Sequence, residues 1–274
     1  AAGAGMMGAH PAATAATLLE VKGLTRRFGG NVAVDHIDFD IHEGELLALI
    51  GPNGAGKSTT FNMVNGQLPA TAGSVRFLGQ EILGMPSHKI ARLGVGRSFQ
   101  VAATFGSLTV LQNVQMALIA HRRKSFSLFS RADLHEPERA VALLEQVDMQ
   151  HLVDQPCADL AYGDVKRLEF AMTLATEPRL LLMDEPTAGM GPSERNALVA
   201  LVKRVVKERK MGVLFTEHSM DVVFDYADRI VVLARGRLIA QGDPAAIRAD
   251  SEVQRVYFGS GVVAHIPGGS HGKV

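Results

Sequence analysis

Residues 51–59 read Gly51-Pro52-Asn53-Gly54-Ala55-Gly56-Lys57-Ser58-Thr59 and directly follow the apolar run Leu46-Leu47-Ala48-Leu49-Ile50. The stretch fits G-x-x-x-x-G-K-[ST], a pattern in which a strand leads into a glycine-rich loop and the loop leads into a helix. Backbone N–H groups and the helix N-terminus then converge on an anion. Lys57 is placed to reach the β- and γ-phosphates, and the Ser58 hydroxyl to ligate Mg²⁺. The pattern predicts nucleoside triphosphate binding; the alternative is an ordinary glycine-rich turn.

Composition limits the class of protein. A length of 274 residues suits one large α/β domain, or such a domain with a small inserted subdomain. Charge is balanced, with 28 Lys and Arg against 28 Asp and Glu, so a nucleic-acid footprint is not indicated. Cys157 is the only cysteine and cannot form an intrachain disulfide, which favours a reducing compartment. No apolar run approaches the roughly 18 residues that a membrane span needs.

The order of hydrophobic patterns predicts three zones. Short apolar strands alternate with turns up to about residue 100, helical periodicity occupies about 101–159, and helices and strands alternate again from Leu160. This order predicts a parallel sheet flanked by helices and interrupted by a helical insert. The domain is expected at 18–258, with flexible tails at 1–17 and 259–274. Strands are predicted at 18–21, 33–41, 46–50, 73–78, 180–183, 212–216 and 230–233, and a helix at 58–67.

A second acidic motif stands where the first motif needs it. Leu180-Leu181-Leu182-Met183-Asp184-Glu185 is an apolar strand that ends in two carboxylates. A parallel strand delivers its C-terminal residues to the same edge of the sheet as the phosphate loop. Asp184 can then hold the hydration shell of Mg²⁺, and Glu185 can polarise the attacking water. The alternative is a strand that ends in a solvated acidic turn.

Two weaker motifs follow in a meaningful order. Leu160-Ala161-Tyr162-Gly163-Asp164 precedes an amphipathic helix about twenty residues before Asp184, and Thr216-Glu217-His218 follows an apolar strand. Alone, the first is an ordinary N-terminal turn of a helix and the second a solvated or satisfied histidine. Their position relative to the two phosphate motifs makes them candidates for a nucleotide site.

From residue 18 to about residue 258 the chain resembles the ATP-binding subunit of ABC transporters. The loop at 51–59 matches the Walker A loop of that family, and 180–185 matches its Walker B strand. Further matches, in the correct order, are the adenine-stacking aromatic Phe28, the Q-loop glutamine Gln100, the signature at 160–164, the D-loop at 188–191 and the switch histidine His218.

The resemblance implies a fold and a set of roles. The implied fold is α/β, a RecA-like P-loop ATPase core with an antiparallel β subdomain and an inserted α-helical subdomain. The implied activity is ATP hydrolysis with ATP and Mg²⁺ as cofactors. The implied catalytic residues are Glu185, His218, Lys57 and Gln100, and the implied Mg²⁺ ligands are Ser58, Gln100 and Asp184. Phe28 and residues 51–59 are implied to bind ATP, whereas Ala161, Tyr162, Gly163 and Asp164 are implied to contact, in trans, the ATP of a second subunit.

Within the family, three features resemble the larger ATPase subunit of branched-chain amino-acid importers. They are the Leu-Ala-Tyr-Gly signature followed by Lys166-Arg167-Leu168-Glu169, the long insert around 121–137, and the ending at 252–259. This resemblance implies a second ATP-binding subunit (identical or different), two permease subunits, and indirectly a periplasmic solute-binding protein. It places the chain at the cytoplasmic face of a bacterial inner membrane, with no nucleic-acid partner. Two alternatives stay open: the ATPase of a lipid or lipopolysaccharide exporter, and a soluble ABC ATPase that acts on nucleic acid.

The chain departs from the family pattern at four positions. Ala161 replaces the usual signature serine, Tyr162 stands where glycine is common, and Asp164 takes the place of the terminal glutamine. Gly191 replaces the D-loop aspartate. These changes lie on the surface that the family uses for the partner's nucleotide. If the chain pairs with a different ATPase subunit, its signature and its own catalytic residues belong to different composite sites, and the two sites are expected to hydrolyse ATP unequally.

Overall fold

A computed structural model of the chain describes residues 15–98, 104–124 and 136–258, so the predicted tail at 259–274 and nearly all of the one at 1–17 lie outside the described residues. In chain order the strands are β1 Thr17–Phe28, β2 Asn31–His42, β3 Leu46–Ile50, β4 Ala72–Phe77, β5 Gln80–Glu81, β6 Val95–Ser98, β7 Leu180–Asp184, β8 Gly212–Thr216, β9 Arg229–Ala234 and β10 Arg237–Gly242. The helices are α1 Lys57–Val64, α2 Ser87–Arg92, α3 Val110–Lys124, α4 Glu136–Gln146, α5 Tyr162–Leu174, α6 Pro192–Arg209, α7 Met220–Tyr226, α8 Pro244–Ala249 and α9 Ser251–Phe258.

The larger sheet places the candidate motifs side by side. Its six strands run in the order β10-β9-β3-β8-β7-β6. All neighbours from β9 to β6 are parallel, so the carboxyl ends of β3, β7 and β8 meet at one edge. Asp184 at the end of β7 pairs in register with Thr216 at the end of β8. The predicted parallel sheet is therefore present, with β10 added antiparallel to β9 at one edge.

The two faces of β3 belong to different parts of the core. Leu47 and Leu49 pack into a cluster with residues of β1, β2 and β4, whereas Leu46, Ala48 and Ile50 pack with the helices. Alternation of side chains along a strand produces this division. A four-stranded antiparallel sheet, β2-β1-β4-β5, covers the first face. It corresponds to the β subdomain that the family resemblance implied.

The helical insert packs on the second face. Val110, Val114 and Leu118 repeat at a spacing of four along α3 and are fully or almost fully buried. They share a cluster with Leu143 and Leu144 of α4 and with residues of α5 and α6. The helical periodicity predicted for 101–159 is confirmed over α3 and α4. None of the helices in the described ranges is long and apolar enough to cross a bilayer.

Several predicted boundaries were wrong for identifiable reasons. β1 runs on to Phe28, well past the predicted end at Val21, because β1 pairs with both β2 and β4 along its length. α1 ends at Val64 and not at residue 67. Gly66 follows with φ of 73°, and a Cβ there would lie 2.3 Å from the carbonyl oxygen of Met85. The chain must turn at this point, so the helix cannot continue.

Candidate nucleotide-binding site

The loop between β3 and α1 requires glycine at two positions. Gly51 has φ of 154°, and a Cβ at this residue would lie 2.3 Å from the carbonyl oxygen of Leu233. Gly56 has φ of 106°, and a Cβ there would lie 2.7 Å from the carbonyl oxygen of Ala33. Both residues are therefore packed against neighbouring backbone and leave the loop open on its other side. Pro52, Asn53 and Gly54 are exposed there, Ala55 is buried, and Thr59 is half-buried.

Lys57 begins α1 and lies back over the loop. Its Nζ donates to the carbonyl oxygens of Gly51, at 2.6 Å, and Pro52, at 3.1 Å. Burial lowers the pKa of Lys57, while the nearby carboxylates of Glu185 and Asp184 act in the opposite direction. The ammonium group is thus held next to the loop and within the field of both carboxylates.

The start of α1 is open to an anion. The N-cap residue is Gly56, which has no side chain to bond the first N–H groups, and the first turn contains no acidic residue. Ser58 is exposed in this turn. The first N–H groups of a helix carry a partial positive charge and bind phosphate readily. The geometry of residues 51–59 therefore fits the phosphate-binding role predicted for them.

The ends of β7 and β8 bring three predicted residues together. Asp184 Oδ1 accepts a hydrogen bond from Thr216 Oγ1 at 2.6 Å. The backbone N–H of Glu185 donates to the carbonyl and hydroxyl oxygens of Thr216, each at 3.1 Å. Glu185 Oε1 lies 2.9 Å from His218 Nε2, so the two side chains share a hydrogen bond. The residue predicted as general base and the predicted switch histidine are thereby placed in contact at the edge that carries the phosphate loop.

The donor set fits Mg²⁺ bound together with a nucleotide. In the described ranges no group of three or more His, Cys, Asp or Glu side chains could hold a metal by itself. Mg²⁺ usually keeps several waters and takes only one or two protein ligands in addition to substrate phosphates. The Ser58 hydroxyl at the start of α1 and the Asp184 carboxylate at the end of β7 can supply those ligands. Gln100, the third predicted ligand, lies outside the described residues.

Two aromatic residues predicted to contact nucleotide, Phe28 and Tyr162, are solvent-exposed. Phe28 ends β1 with 46% of its surface exposed, and the Arg26 guanidinium stands 4.4 Å from the centroid of its ring. Tyr162 begins α5 and is 50% exposed. An exposed aromatic ring keeps a face available for stacking on a base. The role of Phe28 in adenine binding stays a prediction.

The signature residues sit beside the D-loop of the same chain. Tyr162 Oη donates to the carbonyl oxygen of Ala188 at 3.1 Å. Ala161 precedes α5 and is exposed, and Asp164 Oδ1 lies 3.8 Å from Arg167 Nη1. Between α5 and the end of β7 lies a cavity of ≈ 300 Å³, and both Tyr162 and Glu185 line it. Contact of residues 161–164 with a partner's nucleotide stays a prediction.

Two residues of the site, Glu217 and Arg97, received no role from the sequence. Glu217 is only 4% exposed. Its Oε1 accepts hydrogen bonds from the backbone N–H of Thr187 at 3.0 Å and from the Thr187 hydroxyl at 2.5 Å. Its Oε2 accepts a hydrogen bond from the backbone N–H of His218 at 3.1 Å. Arg97 on β6 reaches Asp184, with Nη2 3.7 Å from Oδ2. A charged residue next to a predicted motif was the available signal, because charged side chains are rarely buried without a partner.

Comparisons with known proteins agree with this geometry. Residues 34–188 match the family described as ABC transporter. The chain belongs to that family. Residues 237–263 also match the family described as branched-chain amino acid ATP-binding cassette transporter.

Relatives and solved structures extend the match to most of this ABC ATPase. It is 39% identical to the high-affinity branched-chain amino acid transport ATP-binding protein BraF of Pseudomonas aeruginosa, over 88% of this chain and 98% of BraF. It is 37% identical to the high-affinity branched-chain amino acid transport ATP-binding protein LivG of Escherichia coli K12, over 88% of this chain and 98% of LivG. A nucleotide-free ATP-binding cassette from an ABC transporter is 28% identical with a TM-score of 0.76, covering 89% of this chain and 100% of that one. The ADP conformation of an ABC transporter cassette is 28% identical with a TM-score of 0.78, covering 89% and 99%.

Proposed function

We propose that this chain is the ATP-binding and ATP-hydrolysing subunit of an importer for branched-chain amino acids or related small polar or hydrophobic solutes. The observation that carries the proposal is the convergence of the phosphate loop, Asp184, Glu185 and His218 at one sheet edge. The identity of 37–39% to BraF and LivG, over nearly their full lengths, supports the choice of solute.

The phosphate loop and Lys57 bind the triphosphate. The ammonium group lies 2.6 Å from the Gly51 carbonyl oxygen, next to the loop, and is proposed to bind the β- and γ-oxygens. Ser58 and Asp184 are proposed to hold Mg²⁺, which when bound neutralises charge on those oxygens. Phe28 is proposed to stack on adenine, and Gln100 to join the metal site.

Glu185 is proposed as the residue that orients the attacking water and accepts its proton. Its carboxylate contacts His218, and its backbone N–H is held by the hydroxyl and carbonyl oxygens of Thr216. A base held in this way needs little rearrangement when substrate binds. His218 is proposed to contact the γ-phosphate as well as Glu185. Loss of the phosphate would then remove a contact at the end of β8.

Partners and location are proposed from the relatives. The chain is proposed to pair with a second ATP-binding subunit, to couple to two permease subunits, and to act at the cytoplasmic face of a bacterial inner membrane. Residues 161–164 would face the nucleotide of the partner. ATP binding stabilises the closed pair, and loss of phosphate withdraws that differential contact.

The test is Glu185→Gln in the transporter assembled with its permease subunits. We expect Mg-ATP binding to persist while hydrolysis falls by about 100-fold or more, because the amide cannot accept the proton of water. Glu20→Gln is the control, since Glu20 pairs with Lys22 on β1 and lies away from the loop. Hydrolysis at the wild-type rate in the Glu185 variant would remove this residue from the catalytic role.

Uptake by the assembled transporter tests the physiological role. Vesicles containing the wild-type complex should accumulate labelled leucine in an ATP-dependent manner, and the Glu185→Gln complex should not. Outward lipid movement, or copurification with nucleic acid in place of permease subunits, would contradict the importer proposal and favour one of the two alternatives.

A further inference from the structure

One guanidinium joins three parts of the candidate site. Arg97 lies on β6, opposite Leu182 of β7 in the sheet register, with a side chain that is 22% exposed. Its Nη1 donates to Asn62 Oδ1 of α1 at 3.0 Å and to Gln67 Oε1 beyond α1 at 2.5 Å. Its Nη2 stands 3.7 Å from Asp184 Oδ2. Arg97 therefore connects the helix that follows the phosphate loop to the carboxylate at the end of β7.

The two oxygens of Asp184 have different neighbours. Oδ1 accepts from Thr216 Oγ1 at 2.6 Å, and Oδ2 is the oxygen that faces Arg97. The Asp184 side chain is only 11% exposed, so the attraction between the two charges is weakly screened by solvent. A divalent cation bound at this carboxylate would stand close to a second positive charge, and like charges in a half-buried site repel.

We propose that Arg97 is a positioning residue that holds Asp184 and α1 in place before Mg²⁺ binds, and that Arg97 and Mg²⁺ compete for the Asp184 carboxylate. The inference rests on the proposed function, because it assigns Asp184 to Mg²⁺. It adds a regulator of metal affinity to the site. Arg97 stabilises the nucleotide-free protein and raises the Mg²⁺ concentration that nucleotide binding requires.

The fork geometry of the guanidinium explains why arginine serves this purpose. One nitrogen can bond to the amides of Asn62 and Gln67 while the other is directed at Asp184. A lysine can supply the charge but cannot bond to all three groups in this way. Charge and geometry can therefore be separated by substitution, with Arg97→Gln removing both and Arg97→Lys retaining the charge.

The test uses the purified full-length chain and two measurements. The first is the melting temperature with and without Mg-ATP. The second is the Mg²⁺ concentration that gives half-maximal binding of a fluorescent ATP analogue. Arg76→Gln is the matched control, because Arg76 Nε also lies 3.7 Å from a carboxylate oxygen, that of Glu81, but on the exposed surface of the antiparallel sheet.

We expect Arg97→Gln to lower the melting temperature of the nucleotide-free protein more than that of the Mg-ATP form. The same variant should lower the half-saturating Mg²⁺ concentration by about threefold or more, because a nearby positive charge is removed. Arg97→Lys should keep the Mg²⁺ requirement of the wild type, and Arg76→Gln should resemble the wild type in both measurements.

Two results would overturn the inference. One is an unchanged Mg²⁺ requirement in Arg97→Gln with equal loss of melting temperature in both forms, which is the behaviour of a purely structural arginine. The other is an Arg97→Gln protein with the same melting temperatures and the same Mg²⁺ requirement as the wild type. Failure of the proposed function gives a different result. In that case the wild-type protein itself would show no Mg²⁺-dependent nucleotide binding, and both proposals would be wrong.

Discussion

Glu217 offers a sharp test of how the site is held together. This buried carboxylate accepts three hydrogen bonds, two from Thr187 and one from the backbone of His218. Thr187 belongs to the turn after β7, whereas His218 follows β8. Removing the carboxylate therefore breaks the link between His218, the proposed switch residue, and the segment that leads to residues 188–191. The perturbations are Glu217→Ala, Glu217→Gln and Thr187→Val.

The contacts set the expected size of each effect. A hydrogen bond to a charged group contributes about 1.5–3 kcal/mol, but bonds to one side chain do not add fully. Glu217→Ala leaves three donors without their acceptor, so we expect a loss of about 3–5 kcal/mol in the free energy of unfolding. Glu217→Gln keeps an oxygen for Thr187 but turns an N–H₂ group toward the N–H of His218, so we expect a loss of about 1–3 kcal/mol.

A double-mutant cycle separates the bond from the general cost of each substitution. With Glu217 present, Thr187→Val removes one bonded hydroxyl. With alanine at 217, the same change removes an unpaired hydroxyl and costs little or is favourable. The coupling between Glu217→Ala and Thr187→Val should therefore be about 1–3 kcal/mol.

Urea denaturation of the full chain measures the cycle, and steady-state ATPase assays measure its consequence for His218. Glu252→Ala is the control, because Glu252 pairs with Arg255 at 3.3 Å on the exposed surface and should change stability by less than about 0.5 kcal/mol. Additivity of Glu217→Ala and Thr187→Val within about 0.5 kcal/mol would refute the reasoning. So would an ATPase rate unaffected by Glu217→Gln.

Three further predictions concern the nucleotide. Lys57→Ala should raise the Kd for Mg-ATP by about tenfold or more in a calorimetric titration, because one charge-assisted bond to phosphate is lost, and an unchanged Kd would exclude Lys57 from binding. Phe28→Ala should raise the KM for ATP about fivefold or more with little change in kcat, since stacking on the base is remote from the γ-phosphate; equal affinities before and after the change would make Phe28 a structural residue. Asp164→Gln should change ATP hydrolysis only at the partner's site. The assay measures ATPase activity in dimers in which the Walker A lysine of one subunit is removed. An effect of Asp164→Gln that requires this chain's own Lys57 would contradict the trans arrangement.

The sequence predicted the parts of the site that depend on local pattern and sheet order. The phosphate loop follows from a strand, glycines and a lysine within 51–59, and the structure places these as expected. The meeting of Asp184, Glu185 and His218 follows because β7 and β8 are neighbouring parallel strands. Motif order along the chain was enough to assign all of these residues to one nucleotide site, whereas the contact of Glu185 with His218 came from the structure.

Contacts between side chains on different elements were not predictable from these patterns. Arg97 and Asp184 are far apart in sequence, as are Glu217 and Thr187, and neither pair has a characteristic spacing. Strand β10 was missed because it is an edge strand with mostly half-buried side chains and no buried apolar run. Long-range pairing also extended β1 past Gly23, a residue type that is depleted in strands and favours an end.

The backbone of Glu185 shows why local propensity could not give the geometry of the base. Its φ is 50°, a left-handed conformation that glutamate adopts rarely and at a cost of about 1–2 kcal/mol. The N–H of Glu185 is held by two oxygens of Thr216, so the pairing of β7 with β8 supplies the compensating bonds. The same turn directs the carboxylate to His218. The conformation at Glu185 is therefore imposed by tertiary structure, and in this conformation the proposed base contacts the proposed switch histidine.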